Sequence, residues 1–336
     1  MQSDLKEPLL PTTQSKHPKI DPEGFRTPRW LGYVFQLTFV LQVCFQEILS
    51  KIAYQRNPDM AVPQLLFFIG IGSSLTFIIL MGRDLKVYLS VERGYILSIF
   101  LRIALSMMLL GCVYTSVKYL PLIYIALSVN LNPIITVILS YLLLKKGLGL
   151  MDTAVLLISF GGVVVIILGT YDTTTQSTSN SDVSLVLPFI AMLLLPFVIS
   201  ASSILQRQMR KLSGYTLGSY LCFGMVAFFC PIAILTGKGL AIVQEFQWVD
   251  WGLVIVLGVN NAYMNITRIK ASQHEEPAKL ASVMYFQCVF QLLFDVLLFH
   301  TVFSGLSMIG IGIVLSIVTV RWIIGIRKQF FASSKI

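Results

Sequence analysis

The stretch "LPLIYIALSVNLNPIITVILSYLLLKK" (Leu120 to Lys146) is apolar along its length except at its middle, where Asn130, Asn132 and Pro133 stand together. A bilayer asks for about 20 apolar residues in a helix, and this run is long enough. Hydrocarbon tolerates a polar break only where it faces protein or a wet cavity. Pro133 has no N–H to give and frees the carbonyl near Val129. An asparagine beside such a break either satisfies freed backbone groups between helices or lines a cavity that takes a solute. Both readings stay open, with Asn130 the better placed of the two for a solute.

The rest of the chain settles the setting. Hydrophobic residues make up 56% of its 336 residues and charged residues only 12%, with mean hydropathy +0.79. A soluble domain carries about a quarter charged residues, so the class is a polytopic membrane protein. The net charge of +9 does not point to nucleic acid, because the basic residues form short clusters between apolar runs. Cys44, Cys112, Cys222, Cys230 and Cys288 all fall inside apolar runs, without the spacing of a disulfide framework or zinc site. They read as free thiols, and no metal or other cofactor is expected.

Ten apolar runs follow one another: Trp30–Lys51, Ala61–Met81, Gly94–Val117, Pro121–Leu144, Leu150–Gly169, Ser184–Leu205, Tyr215–Leu235, Trp248–Ile269, Lys279–Phe299 and Val302–Trp322. Residues 1–29 are polar with no apolar signal core, so they read as a disordered cytoplasmic tail, and the first run as signal and anchor together. With the N-terminus inside, twenty of the 25 basic residues fall on cytoplasmic tails and loops. Lys51, Arg56, Lys118 and Lys238 fall on the far side and Arg102 within a span. That asymmetry is what the positive-inside rule requires, and it puts both termini in the cytoplasm. Which membrane this is, endomembrane or plasma membrane, stays open.

The two halves echo one another. Pro121 opens the fourth run and Pro277 precedes the ninth; each is followed by a small-residue start, a polar interruption and an apolar exit. A Gly-rich run closes each half, "VLLISFGGVVVIILG" and "LSMIGIGIVLSIV". Residues 30–170 and 184–325 form the two repeats, 171–183 a Ser/Thr-rich linker and 326–336 a cytoplasmic tail. A duplicated unit of five spans places its second copy upside down, the arrangement of carriers that rock about a midplane site.

The segment "VKYLPLIYIALSVNLNPIITVILSYLLLKKGLGLMDTAVLLISFGGVVVII" (Val117 to Ile167) resembles the first-repeat signature of the EamA-type drug/metabolite transporter superfamily, to which nucleotide-sugar and triose-phosphate transporters are related. "EEPAKLASVMYFQCVFQLLFDVLLF" (Glu275 to Phe299) resembles its second-repeat counterpart, with Gln287 and Cys288 where the family often has Glu-Pro. The resemblance implies an all-α membrane protein of ten transmembrane helices as two inverted five-helix repeats. It also implies a central cavity lined by spans one, three, four, six, eight and nine, with spans five and ten outside, where such proteins often dimerise. Relatives carry nucleotide sugars, sugar phosphates, amino acids, purines and other polar metabolites, by exchange or with a proton gradient.

Polar residues inside the spans are the candidate site. Gln287, Gln291 and Asp295 recur at four-residue steps on one helical face, with Tyr285 beside them. Asp295 is a buried acid and so a candidate for proton coupling, or else the structural partner of a nearby cation or amide. Arg102 inside span three needs an acid, a carbonyl or an anionic substrate, because guanidinium forks match carboxylate and phosphate; Glu47 and Asp295 are its candidate pair partners. Gln42 lies deep in span one. Glu47 lies four residues before Lys51, the spacing of a helical ion pair, and is otherwise a second proton-coupling candidate. Asn261 and Asn265 share a face of span eight.

The histidines His17, His274 and His300 are scattered, "TGKG" (Thr236 to Gly239) departs from a phosphate-binding loop at both ends, and no nucleophile elbow is present. An enzyme is not expected. The expected function is a secondary transporter of a small polar metabolite, with an anion (nucleotide sugar, sugar phosphate or similar) the favoured class. A channel or a membrane-embedded scaffold is the alternative. The expected partners are the small-molecule substrate, the lipid bilayer and, as Gly312 and Ser316 permit by close packing, a second copy of the chain.

Overall fold

The computed structural model describes residues 30–84, 93–129, 186–209, 212–237, 239–274, 286–301 and 303–313, with isolated residues at 91, between 131 and 169, at 283–284 and between 315 and 320. Among them every regular element is a helix. In chain order they are α1 (Trp30–Arg56), α2 (Val62–Met81), α3 (Ile96–Tyr119), α4 (Leu122–Val129), α5 (Val186–Gln208), α6 (Gly214–Leu235), α7 (Trp248–His274) and α8 (Phe286–Leu297). Residues 305–313 are also helical.

Four stretches among the described residues are long and apolar enough to cross a bilayer: Leu31–Arg56, Val62–Met81, Ile96–Tyr119 and Gly214–Leu235. Their outward faces carry bare apolar side chains such as Leu97, Phe100 and Ile79. In a soluble protein so much exposed apolar surface would be a liability; in hydrocarbon it is the solvent-facing side. The chain is an integral, multi-pass membrane protein. Most of the predicted fifth span and of the second half of the fourth, together with Asn130, Pro133 and Tyr285, lie outside the described residues.

Helix ends follow local chemistry. Pro121 cannot continue α3, so the chain stops at Leu120 and restarts as α4 one residue on. α2 opens with Pro63, and the Gln64 side chain accepts the Ala61 N–H at 2.7 Å. Past α4, Leu131 donates its N–H to the Ser128 carbonyl at 3.0 Å, a tightened turn at the place where the sequence interrupts itself. Pro196 breaks α5 from inside and leaves the Met192 carbonyl without its helical donor. The Ser128 hydroxyl of α4 supplies one at 2.6 Å.

The helices pair across the halves. α1 packs on α7 and α3 on α5; α2 packs on α6 and α7; α3 also touches α6; α4 packs on α8 and α5; α1 touches α8. The tightest crossing is α2 on α7, where a Cβ added to Gly258 would stand 2.7 Å from the Gly72 Cα. Only glycine lets two backbones approach so closely. This crossing holds α7, and the polar face it carries, against the centre of the bundle.

Candidate functional site

Polar side chains sit in three levels along the bundle, and α1 threads all of them. At the level where α1 ends, charges are paired. Arg56 Nε donates to Asp250 Oδ1 at 2.8 Å, and Asn57 Nδ2 reaches the same oxygen at 3.2 Å. Lys118 donates to the Pro58 and Met60 carbonyls. Lys51 meets Asp295 at 3.3 Å, donates to the Leu120 carbonyl at 3.4 Å and lies 4.5 Å from the centroid of the Phe299 ring.

Asp295 is wholly buried, and its second oxygen accepts the Ile123 N–H at 2.7 Å. A helix that starts at a proline leaves its first N–H groups without partners. Asp295 therefore caps α4 from another helix, with the anion at the positive end of the helix dipole. The expected Glu47–Lys51 pair is not formed: Lys51 turns to Asp295 instead, because that carboxylate also reaches the α4 terminus.

The middle level is built from amides around one acid. Glu47 is 6% exposed; its Oε2 accepts from Gln291 Nε2, and the Gln287 side chain also bonds to it. Gln287 and Gln291 are buried with Asp295 on one face of α8. Their Oε1 atoms have no donor among the described residues. A carboxyl with two amides and two acceptors left over is short of hydrogen, not of oxygen. Beside it, Asn260 Nδ2 donates to Gln46 Oε1 at 2.8 Å and Gln46 Nε2 to Tyr114 Oη at 2.9 Å.

Asn261 is buried, and its Nδ2 donates to Ser73 Oγ at 2.8 Å, tying α7 to α2 beside the Gly72–Gly258 crossing. Asn265 folds back onto the Asn261 carbonyl at 2.9 Å. Gln42 Oε1 accepts from Thr267 at 2.6 Å, and the Gln42 carbonyl accepts from Asn260 at 3.0 Å. These bonds fasten α1 to α7. Ser200 Oγ donates to Asn132 Oδ1 at 2.7 Å, tying α5 to the chain just past α4.

The third level is cationic. Arg102 lies on the inward face of α3 beside Ile99 and is 5% exposed. Its Nε and Nη1 have no hydrogen-bond partner among the described residues. Neither Glu47 nor Asp295 reaches it: the ion pairs among the described residues are Lys51–Asp295 and Arg56–Asp250. A second arginine, Arg268 of α7, has its guanidinium 5.8 Å from the Phe39 ring centroid. Arg268 is the last residue but one of its run, Trp248–Ile269, and is counted there among the cytoplasmic charges. Its position seven residues after Asn261 and three after Asn265 puts it on their face, and that spacing is the signal in the sequence that marks it.

The structure thus brings Glu47, Gln287 and Gln291 together, sets Asp295 against Lys51, and leaves Arg102 buried without an ion-pair partner among the described residues. A search of solved structures finds the same fold in a crystal structure described only as that of a protein, with TM-score 0.58 and 17% identity, covering 89% of this chain and 98% of the other. A curated relative, Probable transport protein YPL264C of Saccharomyces cerevisiae, is 25% identical over 228 residues, 64% of each chain. The chain thus spans just under two thirds of that relative's length. Residues 30–168 match the EamA-like transporter family. That match covers 139 of the 336 residues and makes this part of the chain similar to EamA-like transporters.

Proposed function

We propose that the protein is a ten-helix secondary transporter of a small anionic metabolite that works by alternating access of two inverted repeats. The observation behind it is Arg102: a guanidinium 5% exposed, with two nitrogens unpartnered among the described residues. Burying a charge without a partner costs several kcal/mol, so a site that keeps one is complete only when an anion arrives. Gln42 stands near this level; Gln287 and Gln291 line the next; Asn130, Asn261 and Tyr285 complete the polar lining in this reading.

The helix pairing supports the repeat. Exchange α1 with α5, α2 with α6, α3 with α7 and α4 with α8, and α1–α7 becomes α5–α3, α2–α7 becomes α6–α3, and α1–α8 becomes α5–α4. All of these pairs pack together in the fold. The pairings α1–α3 and α3–α4 have no such counterpart among the described residues; the ones that survive the exchange are of the kind that rocking between two open sides asks for.

Of the two acids expected to couple a proton, Glu47 fits the role better. A proton on it supplies the donor that the Gln287 and Gln291 oxygens lack, whereas Asp295 is engaged by Lys51 and the α4 terminus. The test is the melting temperature of the purified protein in detergent against nucleotide sugars, sugar phosphates, nucleobases, amino acids and organic cations. An anion at a hundred times its dissociation constant adds about 2.7 kcal/mol to wild type and nothing to Arg102→Gln. Stabilisation by neutral or cationic compounds alone contradicts the anionic reading.

A further inference from the structure

We infer that Glu47, Gln287 and Gln291 form a site for one monovalent metal cation of sodium's kind; its use in transport rests on the reading of Glu47 as the coupling acid, its binding does not. Glu47 of α1 accepts from Gln291 of α8, and Gln287 stands one turn before Gln291 on the same buried face. Each of the three residues is 6% exposed or less. The Oε1 atoms of both glutamines lack a donor among the described residues. Neighbouring amides are not left so: Gln46 accepts from Asn260 and donates to Tyr114, and Asn261 donates to Ser73. Among the described residues, bare buried amide oxygens are confined to the face of α8 that meets Glu47.

Charge points the same way. Lys51, one turn from Glu47 on α1, is taken by Asp295, and the other ion pair joins Arg56 to Asp250. Glu47 is thus in no ion pair among the described residues and lacks one positive charge. A buried carboxylate without a countercharge and acceptors without donors both cost stability. A proton cancels the charge, yet it brings one hydrogen for two bare oxygens. A metal cation brings the same charge and draws several oxygens at once, when the glutamine amides turn those atoms inward. Calcium sites gather several carboxylates; here a single one asks for a single charge. Because the carboxylate comes from α1 and the amides from α8, which pack together, a bound ion also ties the two helices to one another.

Radioactive sodium is titrated onto the full-length protein in detergent at alkaline pH. Choline chloride holds the ionic strength constant, and neither a gradient nor a substrate is present. Wild type should bind sodium saturably, one ion per chain, and sodium chloride should raise its melting temperature above that in choline chloride. Gln287→Met and Gln291→Met should each weaken sodium binding by about 10-fold or more, the worth of one bond to a charged group. Glu47→Gln should abolish it.

No saturable sodium binding in a wild type that melts cooperatively overturns the sodium site and leaves the proton reading of Glu47 standing. So does sodium binding that survives Glu47→Gln. Should Glu47→Gln not fold, the two glutamine variants decide, and unchanged binding in both overturns the site. If sodium binds as expected while transport by Glu47→Gln still follows a proton gradient, the coupling reading falls and the site stands.

Discussion

The two ends of this bundle treat positive charge in opposite ways. Where α1 ends, Arg56 meets Asp250, Lys51 meets Asp295, and Lys118 closes on two backbone carbonyls. At the opposite end, where α3 begins, Arg102 stands buried with no ion-pair partner among the described residues. The first arrangement stabilises the fold, because each charge is met by a partner that also ties two elements together. The second costs stability in the empty protein and makes sense as a site awaiting a charge. Identical residue types thus serve the fold at one end and, in the function proposed above, await a ligand at the other.

The comparison breaks most visibly if the substitutions behave alike. Replacing Arg102 by Gln should lower anion affinity by about 100-fold or more, since removing one partner of a buried charge pair between protein and ligand costs about 3 kcal/mol; calorimetry with the ligand that stabilises wild type checks it. Asp295→Ala should act on the fold instead. It strands Lys51 and uncaps α4, a cost of about 3–5 kcal/mol, read as a lower melting temperature that Lys51→Met partly restores in the double variant.

Smaller effects sharpen the picture between the two ends. Gly258→Ala puts a methyl 2.7 Å from the Gly72 Cα, and overpacking of that kind costs about 1–3 kcal/mol. A neutral melting temperature there would mean the α2–α7 crossing slides freely. Asn261→Ala removes one interhelical bond to Ser73 and should cost about 0.6–1.7 kcal/mol. Glu47→Gln, which mimics a protonated acid, should leave stability within about 1 kcal/mol and abolish any dependence of transport on a proton gradient in proteoliposomes. A strong fall in stability would show that the ionised form holds the middle level.

Much of this is legible in the sequence, and the reasons are physical. Apolar run length marks the helices, because the bilayer fixes the length of a span; α2, α3 and α6 start and stop within about two residues of their predicted edges. The four-residue period of Gln287, Gln291 and Asp295 shows that they share a face, and all three are buried on α8. What that face meets is not legible. The partners, Glu47 and Lys51, come from α1, 244 residues away in each case, and no local pattern encodes so distant a pairing.

Charge position misleads in two places. By its apolar run Lys51 belongs to a loop near Glu47, yet α1 continues to Arg56 and carries Lys51 inward to Asp295. Arg268 stands one residue inside the end of its run, Trp248–Ile269, and α7 continues past it to His274. In both cases the helix outruns its apolar stretch and keeps a cation helical. Long basic side chains with apolar stems make such extensions inexpensive.

The most direct test of the central claim needs no ligand. The melting temperatures of Arg102→Gln and Asp295→Asn, each measured in detergent beside wild type, compare an unmet charge with a met one. Arg102→Gln is expected to melt at or above wild type, because an uncompensated buried cation has been removed, while Asp295→Asn is expected to melt well below it. A fall in the Arg102→Gln protein as large as that in Asp295→Asn would contradict this account, and would make Arg102 a structural residue.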